Sequence, residues 1–143
     1  MNKATSLDFD AIKIGDVFQF TKTFSRDEVI TFSRLTGDFN PLHVDTEFGK
    51  KSLFKKNVVH GMLASSLFST IVGMHCPGKK SLYLSQSLNF KSPIFYDDVL
   101  VVKGTGSHKS KIIKLVSLKT EILKDGKVVI SGEAKVKVLE DTE

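Results

Sequence analysis

The feature that most restricts the fold of this chain is an uncharged segment from Gly61 to Met74 with helical periodicity. Its apolar residues repeat at i, i+4 spacing in two adjacent rows: Leu63, Leu67 and Ile71, and Ala64, Phe68 and Val72. A helix without charge over about four turns has no face suited to water, so the segment predicts a buried helix. Pro77-Gly78 follows it and is placed to end it.

Most of the remaining chain is typical of strands, which predicts a sheet against which the buried helix packs. Segment 17–24 alternates apolar and polar residues, and similar patterns occur at 82–90, 100–103, 112–123 and 128–138. Asp125-Gly126 is typical of a two-residue hairpin between the last two strands. One long helix and a run of antiparallel strands indicate the α+β class. The length of 143 residues fits one domain, which we expect to span 1–143.

A capped helix leads into the most polar part of the chain. Ser25-Arg26-Asp27-Glu28 is a capping box, and Gly37 is placed to end the helix that follows it. Residues 38–56 are rich in turn formers and predict a long structured loop, with a short helix after Asp45.

This loop holds the densest group of reactive side chains. Asp38, Asn40 and His43 put an acid, an amide and an imidazole close together in the chain. Addition of water to a double bond needs polar groups that hold the water and accept its proton, and a proton donor for carbon. An alternative remains, in which Asp38 only bonds loop amides in a turn and His43 only satisfies a carbonyl.

The start of the buried helix is a second candidate site. Gly61 opens the helix and presents a free backbone N–H, which can stabilise an oxygen that becomes negative in a transition state. Alternatively, Gly61 only allows close packing at the helix start. Ser65, Ser69 and Val72 lie about one, two and three turns after Gly61, and we expect the tail of a ligand held at Gly61 to pass along Ser65 and Val72.

Charge and cysteine content exclude several other functions. The net charge of +5 comes partly from scattered lysine pairs, without the interleaved aromatics or motifs of a nucleic-acid-binding protein. A positive surface suits an anionic ligand. No apolar stretch suits a signal peptide or a membrane span. Cys76 is the single cysteine, which excludes an internal disulfide and favours the cytoplasm.

The chain offers weak candidates for a metal site and for a cysteine nucleophile. His75-Cys76 lacks a second pair at ligand spacing, and no base is marked beside Cys76. We therefore expect no metal. His60 is interpreted as a packing or supporting residue rather than a second base.

Three segments together resemble the MaoC-like (R)-specific enoyl-CoA hydratases: FSRLTGDFNPLH, VVHGMLASSLFS and YLSQSLNFKSPIFYDD. The resemblance runs from about residue 16 to residue 138. It implies a hot-dog fold, in which a long central helix is wrapped by a curved antiparallel sheet. It also implies a homodimer and an acyl-CoA thioester substrate, with coenzyme A as part of the substrate and no separate cofactor. One departure is Asp97-Asp98, where the family often has Gly-Asp.

For the site, the resemblance implies residue roles. Asp38 and His43 would be the catalytic pair, Asn40 would shape the loop and the Gly61 N–H would form the oxyanion hole. Ser69 would support the acid from the central helix. The product would be the (3R)-hydroxyacyl-CoA.

Three rival functions remain open. A thioesterase on this fold commonly carries an acidic residue on or near the central helix, and 61–80 has none. A (3R)-hydroxyacyl-[acyl-carrier-protein] dehydratase would use the same chemistry. A non-catalytic acyl-CoA-binding module would require the loss of Asp38 or His43, and both are present.

Overall fold

The computed structural model describes residues 2–140, and its main element is a six-stranded antiparallel sheet. The strands are β1 (Val17–Lys22), β2 (Ser81–Gln86), β3 (Asn89–Phe90), β4 (Leu100–Ser110), β5 (Leu115–Lys124) and β6 (Lys127–Val138). Their order is β1-β4-β5-β6-β2, and β3 also pairs with β6. The predicted α+β class and hot-dog arrangement are confirmed.

Short helices make up most of the rest. They are a 3-10 turn (Phe9–Ala11), α1 (Arg26–Thr36), α2 (Pro41–Val44), α3 (Thr46–Lys51), α4 (Gly61–Ser65) and α5 (Leu67–Thr70), followed by a π-helical turn (Ile71–His75). The capping box predicted for α1 is present, because the Ser25 hydroxyl accepts the Glu28 N–H and the Glu28 carboxylate accepts the Ser25 N–H. Gly37 ends α1 at φ 81°, as predicted.

Residues 61–75 form the predicted helix, which we call the central helix; most of it is buried or half-buried, whereas Met62, Ser66 and Ser69 are exposed. Ser66 keeps right-handed helical angles between α4 and α5, so the helix continues through it. Phe68, Ile71 and Val72 are almost fully buried and pack into one core with residues of the sheet. A Cβ on Gly104 of β4 would lie 2.6 Å from the Ile71 side chain, so glycine there lets helix and sheet approach closely.

Two strand predictions are wrong in detail. Segment 82–90 was expected to be one strand, but β2 ends at Gln86 and β3 starts at Asn89. Ile112 and Ile113 were expected within a strand, but they lie between β4 and β5, where Ile112 is 95% exposed. Alternation of residue types does not show where a chain turns, which explains both errors.

Two turns depend on left-handed residues. Asp125 (φ 50°) and Gly126 (φ 75°) form the predicted hairpin turn between β5 and β6. Asp97 takes φ 62° where the family often has glycine, and the neighbouring Asp98 carboxylate accepts the Phe95 N–H at 2.7 Å. Aspartate tolerates this conformation better than most residues, so the departure from the family pattern is accommodated.

Candidate active site

The polar loop (residues 38–57) is ordered by two side-chain caps. The Asn40 side-chain oxygen accepts the Leu42 N–H at 3.0 Å at the start of α2, whose first residue is Pro41. The Asp45 carboxylate accepts the Phe48 N–H at 3.0 Å at the start of α3. The short helix predicted after Asp45 is confirmed, whereas α2 was not predicted. Asn40 therefore shapes the loop by capping the helix that carries His43.

Asp38 uses one carboxylate oxygen locally and keeps the other available. Its Oδ1 accepts the Asn40 N–H at 3.1 Å, which is the turn contact considered above as an alternative role. Its Oδ2 lies 3.8 Å from Nε2 of His60, beyond hydrogen-bond distance. The Asp38 side chain is 51% exposed. The turn contact and a chemical role are therefore compatible, because they use different oxygens.

The two ring nitrogens of His43 also differ in role, because one makes a local contact and the other is left available. Its Nδ1–H donates to the Val58 carbonyl at 2.8 Å, and because a carbonyl can only accept, Nδ1 carries the proton. In the neutral ring Nε2 is then an unprotonated acceptor. The Tyr96 hydroxyl donates to the backbone carbonyl of His43, which holds α2 against the segment before β4. His43 is half-buried, with a fixed ring and one nitrogen left for chemistry.

His60 lies behind this pair. It is 3% exposed, and its ring stacks on that of His43 with centroids 3.9 Å apart. Its Nε2 lies 3.2 Å from the Asp38 carbonyl and 3.3 Å from the Ser33 hydroxyl, so Nε2 carries the proton in the neutral ring. Nδ1 is buried without a partner within residues 2–140. Burial lowers the pKa of His60, and the Asp38 carbonyl opposes the effect only in part. His60 is thus a supporting residue whose burial favours the neutral form of the ring.

The three side chains converge. One side-chain oxygen or nitrogen from each of Asp38, His43 and His60 lies within 4.8 Å of the others. A water molecule could therefore contact Asp38 and His43 together, as the sequence suggested. The same atoms are of the types that bind divalent metals, and the expectation of no metal stays a prediction.

A cavity of about 430 Å³ opens beside His43 and Gly61. Its other lining residues are mostly apolar: Leu42, Phe54, Val58, Val59, Met62, Phe90, Lys91, Ser92, Pro93, Ile94 and Ile130. Asp38 is not among them. A space of this size and polarity suits a small apolar ligand whose reactive end reaches His43.

Gly61 forms part of the wall of this cavity, and two of its properties bear on function. As the first residue of α4, it has an N–H without an intrahelical acceptor. A Cβ at this position would lie 2.7 Å from the Phe90 ring, so a side chain would also displace Phe90. The close-packing role and the proposed oxyanion role are both compatible with the structure.

Three other predicted residues lie away from the cavity. Ser65 is buried and its hydroxyl donates to the Gly61 carbonyl at 2.7 Å. Val72 is 1% exposed within the core. Ser69 is exposed, and within residues 2–140 its hydroxyl makes no hydrogen bond to Asp38. The structure therefore joins Ser65 to Gly61, but none of the three residues lines the cavity.

Asn57 is a supporting residue that sequence reasoning missed. It is 6% exposed, and its side-chain amide lies 3.3, 2.9 and 2.8 Å from the carbonyl oxygens of Pro41, Leu42 and Asp45. These contacts hold α2, and with it His43. The only sequence signal was a polar residue next to the apolar pair Val58-Val59.

Comparison with known families gives a match over nearly the whole chain. Residues 10–136 match the family described as MaoC like domain. The chain belongs to the MaoC-like family. Within that family, an (R)-specific enoyl-CoA hydratase from Aeromonas caviae is 40% identical over 131 residues, which cover 90% of this chain and 96% of the relative.

Other MaoC-like relatives differ in their thioester carrier. A mitochondrial 3-hydroxyacyl-[acyl-carrier-protein] dehydratase from Arabidopsis thaliana is 38% identical over 127 residues, covering 86% of this chain and 75% of the relative.

The solved structure of the R-hydratase PhaJ1 from Pseudomonas aeruginosa superimposes with a TM-score of 0.91 at 27% identity, covering 96% of this chain and 89% of that one. Within residues 2–140, no helix has the length and hydropathy needed to cross a membrane.

Proposed function

We propose that this protein is an (R)-specific enoyl-CoA hydratase, a hydro-lyase that adds water reversibly to trans-2-enoyl-CoA to give (3R)-3-hydroxyacyl-CoA. One observation carries the proposal: Asp38 and His43 each use one polar atom to order the loop and keep another for chemistry. His43 and Gly61 both line the apolar cavity, and Asp38 has a side-chain oxygen within 4.8 Å of a ring nitrogen of His43. The similarity to the Aeromonas hydratase supports the same reaction.

The chemistry follows from the available atoms. Water is held between Asp38 Oδ2 and His43 Nε2, and its oxygen bonds to C3 of the enoyl group while one of these two groups takes its proton. The same group returns that proton to C2, so the product gains one water and the enzyme ends unchanged. Because both groups belong to one short loop, hydroxyl and hydrogen add to the same side of the double bond.

The Gly61 N–H stabilises the reaction at the other end of the conjugated system. As C3 is attacked, negative charge moves to the thioester oxygen, which accepts the Gly61 N–H. One such donor typically lowers a barrier by ~2.7–4 kcal/mol. The acyl chain occupies the apolar cavity, and coenzyme A enters as part of the substrate, so no further cofactor is needed.

Hydration of crotonyl-CoA tests this proposal. We expect the absorbance of the conjugated enoyl thioester to fall when purified protein is added, and chiral analysis to show the (3R) product. A purified, folded protein that leaves the absorbance unchanged would refute a hydratase. A (3S) product would refute the (R)-specific assignment, and a racemic product would refute the fixed position of the thioester.

The dehydratase of acyl-carrier-protein thioesters is the second candidate, because relatives with that activity are nearly as similar. Crotonyl-CoA and the crotonyl thioester of an acyl carrier protein should be compared at equal concentration. A much higher kcat/KM for the carrier-protein thioester would favour the second candidate. Because Asp38 and His43 are both present, a non-catalytic acyl-CoA-binding module is the least supported reading.

We also propose that the protein is a cytoplasmic homodimer. The cytoplasm is suggested by the single cysteine, which is buried and whose thiol pKa burial raises to about 12, so that it stays protonated and unreactive. The dimer is suggested by an open sheet edge at β2, which is considered below.

A further inference from the structure

A second cavity, of about 340 Å³, has a cationic lining. It lies between the start of α1, the helix α3 and the end of the polar loop. The lining residues are Arg26, Thr46, Lys50, Lys55, Lys56, Asn57, Phe95 and Tyr96. Four of these side chains are cationic and none is acidic. We call this space the basic cavity.

The charges of the basic cavity are largely uncompensated. Within residues 2–140, Arg26, Lys55 and Lys56 form no ion pair. Lys50 pairs with Glu47 at 2.8 Å, but both side chains are more than 60% exposed, so that pair contributes little. Like charges gathered around a concave surface repel one another and raise the local concentration of anions.

An aromatic floor gives the cavity a fixed shape. The Lys56 ammonium lies 4.2 Å from the centre of the Phe95 ring, and the Lys124 ammonium lies 4.7 Å from it. Lys124 is itself held by Asp98 at 2.7 Å. Next to Phe95, Tyr96 is tied through its hydroxyl to the His43 carbonyl. Cationic side chains held in place by an aromatic ring suit a ligand that carries phosphates, such as a nucleotide.

The basic cavity and the first cavity share one wall. In the segment 54–59, Phe54, Val58 and Val59 line the first cavity, whereas Lys55, Lys56 and Asn57 line the basic cavity. The five residue-to-residue steps from Lys56 to Gly61 can span at most roughly 18 Å even if fully extended. The cationic groups therefore lie within reach of a ligand whose other end meets the Gly61 N–H.

We propose that the basic cavity binds the phosphates of the 3′-phosphoadenosine diphosphate end of coenzyme A. The inference rests on the proposed function, because an acyl-CoA carries its thioester at one end of a pantetheine arm and its phosphates at the other. Lys55 and Lys56 bind the phosphates, and the Phe95 ring holds the Lys56 ammonium in place. A carrier protein lacks the nucleotide and presents a convex acidic surface, which a concave cavity with an aromatic floor fits less well.

The charge-removing double variant Lys55→Met/Lys56→Met tests this proposal, since methionine keeps an unbranched apolar stem. The matched control is Lys111→Met, an exposed lysine between β4 and β5. Substrates are crotonyl-CoA, the crotonyl thioester of an acyl carrier protein, and crotonyl-pantetheine, which lacks the nucleotide and its phosphates. Binding of free coenzyme A and 3′-dephospho-coenzyme A is measured by calorimetry, and circular dichroism reports the fold.

We expect the double variant to raise KM for crotonyl-CoA about tenfold or more with kcat unchanged, because uniform binding energy is lost. Its kcat/KM for crotonyl-pantetheine should equal that of the wild type, and its affinity for free coenzyme A should fall about tenfold or more. The control should match the wild type throughout. The KM of the wild type should also rise with ionic strength more steeply than that of the variant.

Two results would overturn the inference: equal affinity of wild type and double variant for free coenzyme A, or a defect confined to a carrier-protein thioester. The latter would make the cavity a carrier-protein docking surface. Failure of the proposed hydratase function would give a different result from failure of the phosphate site. If the wild type hydrated neither crotonyl thioester but bound coenzyme A more tightly than the double variant, the hydratase proposal would fall and the phosphate site would stand.

Discussion

At the residue scale, the polar loop gives each reactive side chain two partners of different kinds. Asp38 and His43 bond to the backbone through Oδ1 and Nδ1, and the proposed reaction uses Oδ2 and Nε2. A side chain held in this way is oriented before substrate arrives, so little ordering is left for the reaction step. The local contacts thus provide the positioning that catalysis requires.

Asp38→Asn and His43→Gln should each lower turnover of crotonyl-CoA by about 10²–10⁴-fold, because both keep side-chain size and remove proton transfer. Their combined effect should be smaller than the product of the single effects, because both groups serve one water. The check is steady-state kinetics with urea unfolding as a control for stability. A fully active Asp38→Asn protein would remove Asp38 from the mechanism.

The neutral His60 predicts a dependence of stability on pH. Because burial lowers its pKa below the ordinary value of 6.5, the unfolded chain binds the proton more readily than the native state. Stability should therefore fall as pH falls from about 7 to about 5.5. In His60→Gln this slope should be shallower, as measured by urea unfolding across that range. His108→Gln, an exposed histidine on β4, is the control and should retain the wild-type slope.

The reactive residues could be predicted because they are close together in sequence. Asp38, Asn40 and His43 form one segment, and Gly61 marks a helix start that periodicity reveals. His60 could be interpreted only as a packing or supporting residue and Asn57 could not be assigned, because their partners include backbone carbonyls brought near only by folding. Nothing in a sequence states which carbonyls will surround a buried amide or imidazole.

At the element scale, the first cavity is bounded by parts of several elements. Gly61 and Met62 come from the start of the central helix, Phe90 from β3 and Ile130 from β6. The central helix itself continues away into the core, where Phe68, Ile71 and Val72 are almost fully buried. An acyl chain in this cavity therefore meets β6 rather than the later turns of the helix.

Substitutions that enlarge the side chain at two positions should show whether the acyl chain passes β6 or the later turns of the central helix. Ile130→Phe should reduce kcat/KM for longer enoyl-CoAs more than for crotonyl-CoA, because it narrows the cavity, and it should also destabilise the fold, because Ile130 is only 1% exposed. Val72→Phe should destabilise the fold by about 1–3 kcal/mol without changing the preference for chain length, because it overpacks a filled core away from the cavity. Kinetics with a series of chain lengths and urea unfolding distinguish the two. Selective loss of long substrates in a stable Val72→Phe protein would restore the route along Ser65 and Val72.

Element types were predictable from periodicity, whereas the break between β2 and β3 was not. A Cβ on Gly132 of β6 would lie 1.8 Å from the carbonyl oxygen of Ser87, which shows how closely the break packs on its neighbouring strand. The Ser87 N–H donates to the Glu133 carbonyl at 3.0 Å. These contacts join residues far apart in sequence, so no local pattern carries them.

At the scale of the whole molecule, the described sheet ends at β1 on one side and at β2 on the other. On β2, Leu82 is 48% exposed and Leu84 is 52% exposed. An open edge strand with exposed leucines is a natural surface for pairing with a second copy. The whole-molecule view thus supports the homodimer predicted from the sequence.

Light scattering at micromolar concentration should report about twice the chain mass of 15.8 kDa. Leu82→Lys/Leu84→Lys should shift the protein toward the monomer, because charges on both strands of a pair would repel each other. Ile112→Lys, at an exposed position between β4 and β5, should remain dimeric. A wild-type monomer, or a double variant as dimeric as the wild type, would argue against pairing through β2.

The contact between Gly61 and Phe90 constrains how this sequence can diverge. Because a methyl group at position 61 would overlap the ring at position 90, position 61 is not free to change alone. A lineage that acquired alanine at 61 would first need a smaller residue at 90, and that smaller residue would widen the cavity before any change reached the helix. Substrate range and tolerance at position 61 should therefore drift together among descendants of this chain.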